Sequence, residues 1–187
     1  MVQYSVISPK HLLKRAQEKT DAFAECLPEL LALSILSSDK PSVQFYEGLE
    51  GLKMIYEDTL NYPESTLKAF LGYGKLEKGL ERYLTYVYLP ARVKRKITAQ
   101  VLMPQERENA NYAPMDKRDT SFQRTQIRVV SNPTFQISNE INLYGEDRIA
   151  LMMFNESEMM GLIIKSKLLY TTLVSLFDLT RERETDA

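Results

Sequence analysis

Ser42–Leu60 reads SVQFYEGLEGLKMIYEDTL. Val43 and Phe45 alternate with polar neighbours in a short β-prone run, the pattern of a half-buried strand. Glu47-Gly48 breaks that run. Beyond it Leu52, Ile55, Tyr56 and Leu60 recur at helical spacing and give one apolar stripe with charges opposite. Gly48 and Gly51 flank the turn into this helix, where a side chain would obstruct the backbone. The helix N-terminus is expected to face the ligand crevice that α/β layers place beyond the carboxyl ends of their strands. Asn61-Tyr62-Pro63-Glu64-Ser65 ends the helix, and Thr66–Tyr73 reads as a second strand. Strand, helix, strand predicts a crossover that pairs the two strands in parallel.

Towards the N-terminus, Ser8-Pro9 is a helix start, with Ser8 as N-cap and Pro9 in the first turn. Leu12, Leu13, Ala16, Thr20, Phe23 and Leu27 keep near-helical spacing, and Leu30, Leu31 and Leu33 resume the pattern after Pro28, where a break or restart is expected. This arm is either packed on its own domain or paired in a coiled coil. Ser38-Asp39-Lys40-Pro41 is turn chemistry and marks the boundary between an arm over 1–38 and a globular domain over 39–187.

Towards the C-terminus, Gly72 and Gly74 lead into a helix whose apolar face is Leu76, Leu80, Tyr83, Leu84 and Val87. Pro90 restarts or kinks it, and Ala91–Lys96 (ARVKRK) ends it in four cations. Ile97–Met103 is a third strand. Pro104–Ser121 is rich in charge and reads as a solvated excursion long enough to cover a pocket. Thr125–Val130 is a further strand, and Ile137–Tyr144, Arg148–Phe154 and Met159–Lys165 form a meander around the Gly145-Glu146-Asp147 turn. Ser166–Arg183 is a closing helix with Leu168, Leu169, Thr172, Leu173, Leu176 and Phe177 inward. The fold class is α/β, a mixed sheet with flanking helices preceded by a helical arm.

The chain has 187 residues, 44% hydrophobic and 26% charged, enough for one domain with a core plus an appendage. Net charge is -1, without the basic excess of a self-sufficient nucleic-acid binder. Cys26 is the only cysteine, so no intramolecular disulfide forms. No apolar run approaches the roughly 20 residues that cross a bilayer, and the first residues lack a signal-peptide core. The expected compartment is the cytoplasm, with no membrane partner.

The Phe45-Tyr46-Glu47-Gly48 turn, followed by Gly51-Leu52-Lys53-Met54-Ile55-Tyr56-Glu57-Asp58, resembles the start of the effector domain of TrmB-type transcriptional regulators. The resemblance extends from about Tyr4 to Arg181. In that family a winged helix-turn-helix reads DNA, a helical linker dimerises, and a phospholipase D-like domain senses a small molecule, often a sugar. The resemblance therefore implies a phospholipase D-like fold, a homodimer, a small-molecule effector such as a sugar, and DNA contact only through a separate or missing winged helix-turn-helix. None precedes Tyr4, which implies an excised or split portion of a longer regulator, or a stand-alone relative that acts through a partner.

Phospholipase D enzymes use histidine–lysine motifs, and His11, the only histidine, falls in the arm. The same fact removes a serine–histidine triad and most zinc sites, and no glycine-rich phosphate loop is present. The expectation is therefore no catalytic residue, no metal and no cofactor. Met152, Met153, Met159 and Met160 read as core filling. The candidate ligand-binding residues are Tyr46, Glu47, Gly48, Arg92, Arg95, Asn139 and Glu140. Tyr46 and Glu47 would offer an aromatic face and a carboxylate to ligand hydroxyls; alternatively Glu47 caps the helix. Arg92, Lys94, Arg95 and Lys96 offset a helix dipole, grip an anion, or touch DNA. Asn139, Glu140 and Asn142 are solvent-facing or protect a sheet edge, Glu57 and Asp58 are solvated, and Tyr83, Tyr86 and Tyr88 pack with hydroxyls at the rim. The function expected is non-catalytic effector sensing and dimerisation. The alternatives are a structural dimerisation module, or an enzyme on the same fold with a non-histidine mechanism.

Overall fold

The computed structural model describes residues 8–35, 41–72, 76–105, 124–155 and 158–183. Residues 106–121 of the excursion expected over 104–121, the Ser38-Asp39-Lys40 turn and Gly74 lie outside the described residues. Met1–Lys40 and Pro41–Ala187 form two separate compact units.

The first unit is helix α1, Pro9–Ile35. The Ser8 carbonyl accepts from the N–H groups of His11 and Leu12, so the chain turns helical at Pro9 as expected. Pro28 does not break the helix, contrary to expectation: it lies inside α1, where it removes one N–H from the ladder without ending it. Leu12, Leu13, Phe23 and Leu27 are exposed.

The second unit is a seven-stranded mixed sheet with helices on both faces. Its elements are β1 (Ser42–Glu47), α2 (Gly48–Thr59), β2 (Thr66–Leu71), α3 (Lys78–Tyr83), a π-helical segment (Leu84–Tyr88), α4 (Leu89–Lys94), β3 (Thr98–Pro104), β4 (Thr125–Val130), β5 (Glu140–Tyr144), β6 (Arg148–Asn155), β7 (Glu158–Lys165) and α5 (Lys167–Arg183). The strand order is β1-β7-β6-β5-β2-β3-β4. β2, β3 and β4 run parallel, and β5, β6, β7 and β1 continue the sheet antiparallel.

The parallel pair expected of β1 and β2 does not form. β1 pairs antiparallel with β7, Tyr46 opposite Gly161, and three strands stand between it and β2. A strand–helix–strand pattern fixes direction and alternation but not which strands are neighbours. Here Gly48, at φ 67°, turns the chain so that α2 runs back over β7. Gly161 admits that approach, since a side chain there would run into Ile55. The parallel crossover belongs instead to β2 and β3, joined through α3 and α4.

The two-residue alternation of each strand sorts the core into two layers. Leu67, Ala69, Leu71, Ala99, Val101, Ala150, Met152 and Ile163 face α2, the π segment and their neighbours. Phe70, Leu102, Leu143 and Ile149 face Phe177 of α5. Met152 and Met159 sit in the first layer, as core filling requires. α5 covers β2, β4, β5 and β6, whereas Val43 and Phe45 on the edge strand are 63% and 53% exposed. Of the helix residues expected inward, Leu168, Leu169 and Leu176 are also exposed, while Leu173 and Phe177 pack.

Asp58 is not the solvated charge it was expected to be. It accepts from Tyr144 Oη at 2.8 Å and Arg148 Nη1 at 3.3 Å, tying α2 to β5 and β6. Glu57 is exposed and accepts from Tyr83 Oη at 3.1 Å.

Candidate functional site

A helix of about 3.6 residues per turn carries a row spaced by four progressively round its axis. Leu80, Leu84, Tyr88 and Arg92 are spaced by four, yet all four are buried. The π-helical turn at Leu84–Tyr88 holds them in line, because its wider turn takes up the extra residue. Pro90 follows directly and has no N–H to give the preceding turn, which favours the departure from α geometry. The phase change moves Val87, expected inward, to 54% exposure and Tyr86 to 73%, and brings Tyr88 and Arg92 in.

Leu84, Tyr88 and Arg92 line a cavity of about 80 Å³ over β5, β2 and β3. Leu67, Ala69, Leu71, Leu84, Leu89, Ala99 and Val101 supply apolar wall, and Tyr56, Tyr88, Arg92, Thr125, Glu140 and Asn142 supply the polar groups. The space arises where Ala69 and Ala99 stand on neighbouring strands beneath the helices, since a methyl group does not reach the opposite layer.

The polar groups are connected. Glu140, 4% exposed, accepts from Tyr56 Oη through Oε2 and from Asn142 Nδ2 through Oε1, both at 2.7 Å. Thr59 Oγ1 donates to the Tyr56 carbonyl at 2.7 Å and lies 2.9 Å from Tyr88 Oη. The rings of Tyr56 and Tyr88 stack tilted, their centroids 4.9 Å apart. Arg92, 1% exposed, donates to the Ile97 carbonyl at 2.8 Å, the Arg124 carbonyl at 3.1 Å and Thr125 Oγ1 at 2.5 Å, joining α4 to β3 and β4. Burial lowers the Arg92 pKa from its ordinary value, helped by repulsion from Arg124 and opposed by Tyr88.

Of the seven residues singled out in the sequence, the cavity brings together Arg92 and Glu140. Arg92 lies in the last turn of α4, as expected of a helix-end cation, but it is buried, because the π turn points it inward. Tyr46 packs on the core with its hydroxyl donating to Gln44 Oε1. Glu47 is exposed and precedes α2 without a side-chain capping bond, so it neither caps the helix nor enters the cavity. Gly48 makes the turn. Arg95 is exposed at the end of α4, beside Lys96, which pairs with Glu64 at 2.8 Å. Asn139 is outside the cavity walls, its carbonyl accepting from Gly72 N–H at 3.1 Å.

Asn142 was expected at a surface or an edge, but β5 is an interior strand buried on both faces, and Asn142 is fully buried. Tyr56, Thr59 and Thr125 carried no separable signal: at their positions a tyrosine or threonine in an apolar stripe is indistinguishable from core. The signal that could have found the site is the alternation Glu140, Asn142, Tyr144 against Ile141, Leu143, read as two buried faces.

Burial pushes the Tyr88 hydroxyl up to about 12 from 10.0, with Glu140 adding to the rise and Thr59 and Arg92 opposing it. Tyr144 is raised by burial and by Asp58, and Tyr83 by burial and by Glu57. A raised native value means that stability is complete below pH about 10, where unfolded tyrosines stay neutral, and is lost as pH rises from there towards 12. An ultraviolet titration should therefore leave a subset of the 11 tyrosines neutral at about pH 11 until the chain unfolds. Simultaneous ionisation of all of them near 10 in the folded chain would contradict these environments.

Among the described residues no group of three or more histidine, cysteine, aspartate or glutamate side chains is placed to hold a metal, and no helix is long and apolar enough to cross a membrane. No protein-family model matches the chain, and no curated protein matches it by sequence. Solved structures do. TrmBL2, described as an archaeal chromatin protein with a novel mode of DNA binding, superposes with a TM-score of 0.51 at 13% identity over 93% of this chain. The chain spans 66% of that protein's length. NucT from Helicobacter pylori superposes with a TM-score of 0.51 at 10% identity, over 76% of this chain and 97% of its own. These likenesses establish the fold: a mixed α/β sheet of the phospholipase D-like kind, shared with TrmBL2.

Proposed function

We propose that the chain is a non-catalytic effector-sensing module of a TrmB-like transcriptional regulator, with the cavity over β5, β2 and β3 as the effector site. The observation that carries this reading is the cavity bordered by a connected set of buried polar groups, Tyr56, Glu140 and Asn142. Buried polar groups that converge on an apolar space are the usual make-up of a small-molecule site. The lack of catalysis rests on the chemistry at hand. His11, the sole histidine, belongs to α1, and the carboxylate of Glu140 is engaged by two donors. The likeness to TrmBL2 supports the link to DNA, made through a separate winged helix-turn-helix. Two copies pair through α1, whose exposed Leu12, Leu13, Phe23 and Leu27 form an apolar row. A sugar fits these walls poorly, since its ring of hydroxyls would meet leucine, alanine and valine.

Native mass spectrometry of the purified chain tests this. A dimer carrying a reproducible small adduct is the expected result, with the adduct lost on denaturation. A bare monomer at micromolar concentration would remove both the pairing and the resident effector.

A further inference from the structure

Asn142 is fully buried, and among the described residues its Oδ1 meets no donor. The sheet register supplies the reason. β5 sets Asn142 between Ala69 of β2 and Ala150 of β6, and neither methyl group can donate. The orientation of the amide is fixed by Glu140, whose Oε1 takes the Nδ2 hydrogen bond at 2.7 Å. Reversing the amide would set two acceptors against each other. Unpaired buried acceptors are rare in folded proteins, and Asn142 is one of the residues that line the cavity of about 80 Å³.

We propose that the cavity takes a small organic molecule with an apolar body of a few carbons and one hydrogen-bond donor, hydroxyl or amine, which reaches Asn142 Oδ1. This rests on the reading of the cavity as the effector site. The body lies against Leu67, Leu71, Leu84 and Val101, where apolar area leaves water. The donor completes the amide that Glu140 holds in place. An anionic end is rejected at Asn142 Oδ1, because a carboxylate has no hydrogen to donate to an acceptor and would approach the Glu140 side chain that binds the same amide.

The full chain is titrated with 1-butanol, butylamine, methyl propyl ether and butyrate, following the Ala69 and Ala99 methyl signals and the Asn142 side-chain amide by NMR. The ether matches butanol in atoms and lacks only the donor. Butanol and butylamine should shift these signals saturably, the ether should bind about tenfold more weakly, and butyrate should leave them unmoved. Asn142→Leu should erase the advantage of butanol over the ether. Ala99→Leu should fill the cavity and abolish the shifts while the chain stays folded by circular dichroism. Equal binding of ether and butanol, or unmoved alanine methyls up to the solubility of every probe, would overturn the proposal. The two readings fail separately. A natural adduct that survives Ala99→Leu places the effector elsewhere and leaves the sensor standing. Donor-dependent probe binding in a chain that carries no natural adduct and stays monomeric leaves the site standing and removes the sensor.

Discussion

Phe177→Ala is expected to cost about 3–5 kcal/mol of stability, as removal of a buried phenylalanine generally does. Phe177 is fully buried and packs α5 on the sheet through Phe70, Leu102, Leu143 and Ile149. Its ring meets Phe70 edge-on, centroids 5.1 Å apart at 75°, and Lys68 Nζ lies over it at 5.7 Å on the way to Asp178, which it binds at 2.7 Å. Tyr170, Leu173 and Val174 of the same helix are only partly buried, so Phe177 contributes the one fully buried side chain of α5 among the described residues. The melting temperature should fall by roughly 6–20 °C, at about 2–4 °C per kcal/mol for a domain of this size. Amide exchange should rise along α5 before it rises in β6. A variant with an unchanged midpoint and a protected α5 would show that the helix is held by something other than this ring.

Arg92→Met is expected to cost about 2–4 kcal/mol. Methionine keeps most of the apolar stem, so the loss falls on the three hydrogen bonds to Ile97, Arg124 and Thr125. Bonds from a charged donor contribute about 1.5–3 kcal/mol each, and relief from burying the guanidinium offsets part of that. The measurement is a urea midpoint, with amide exchange over Thr125–Val130, the edge strand that Arg92 fastens. Arg92→Lys should recover only part of the loss, because one ammonium cannot span three acceptors in a fork. An unchanged midpoint would mean that β4 is anchored without Arg92.

Much of the secondary structure was legible because its signals are local. The meander of β5, β6 and β7 followed from alternation and from the three residues after Tyr144, where Gly145 and Glu146 both adopt positive φ. The strand order was not legible. Nothing within Ser42–Glu47 says that its partner is Glu158–Lys165 rather than Thr66–Leu71. Of the residues that line the candidate site, the sequence singled out only Arg92 and Glu140, without the burial that places them there. The charge of Arg92 pointed to a helix end, where it does lie, but a π turn that four-residue spacing conceals points it inward. The polar face of β5 pointed to solvent, while Tyr56, 84 positions away, supplies its donor. Pro28 shows the reverse error, a local signal overridden by the helix around it.

The pairing of Ser42 with Lys165 also sets the order in which the unit can be built. A ribosome adds about 5–20 residues per second. β1 and the amphipathic α2 therefore emerge several seconds before β7, the strand that pairs one and packs under the other. During that interval Leu52 and Ile55, both fully buried in the finished fold, have no β7 to rest on. The parallel pair β2 and β3, by contrast, is complete once residue 104 has emerged. Among the described strands, the one made first finds its partner only in the one made last.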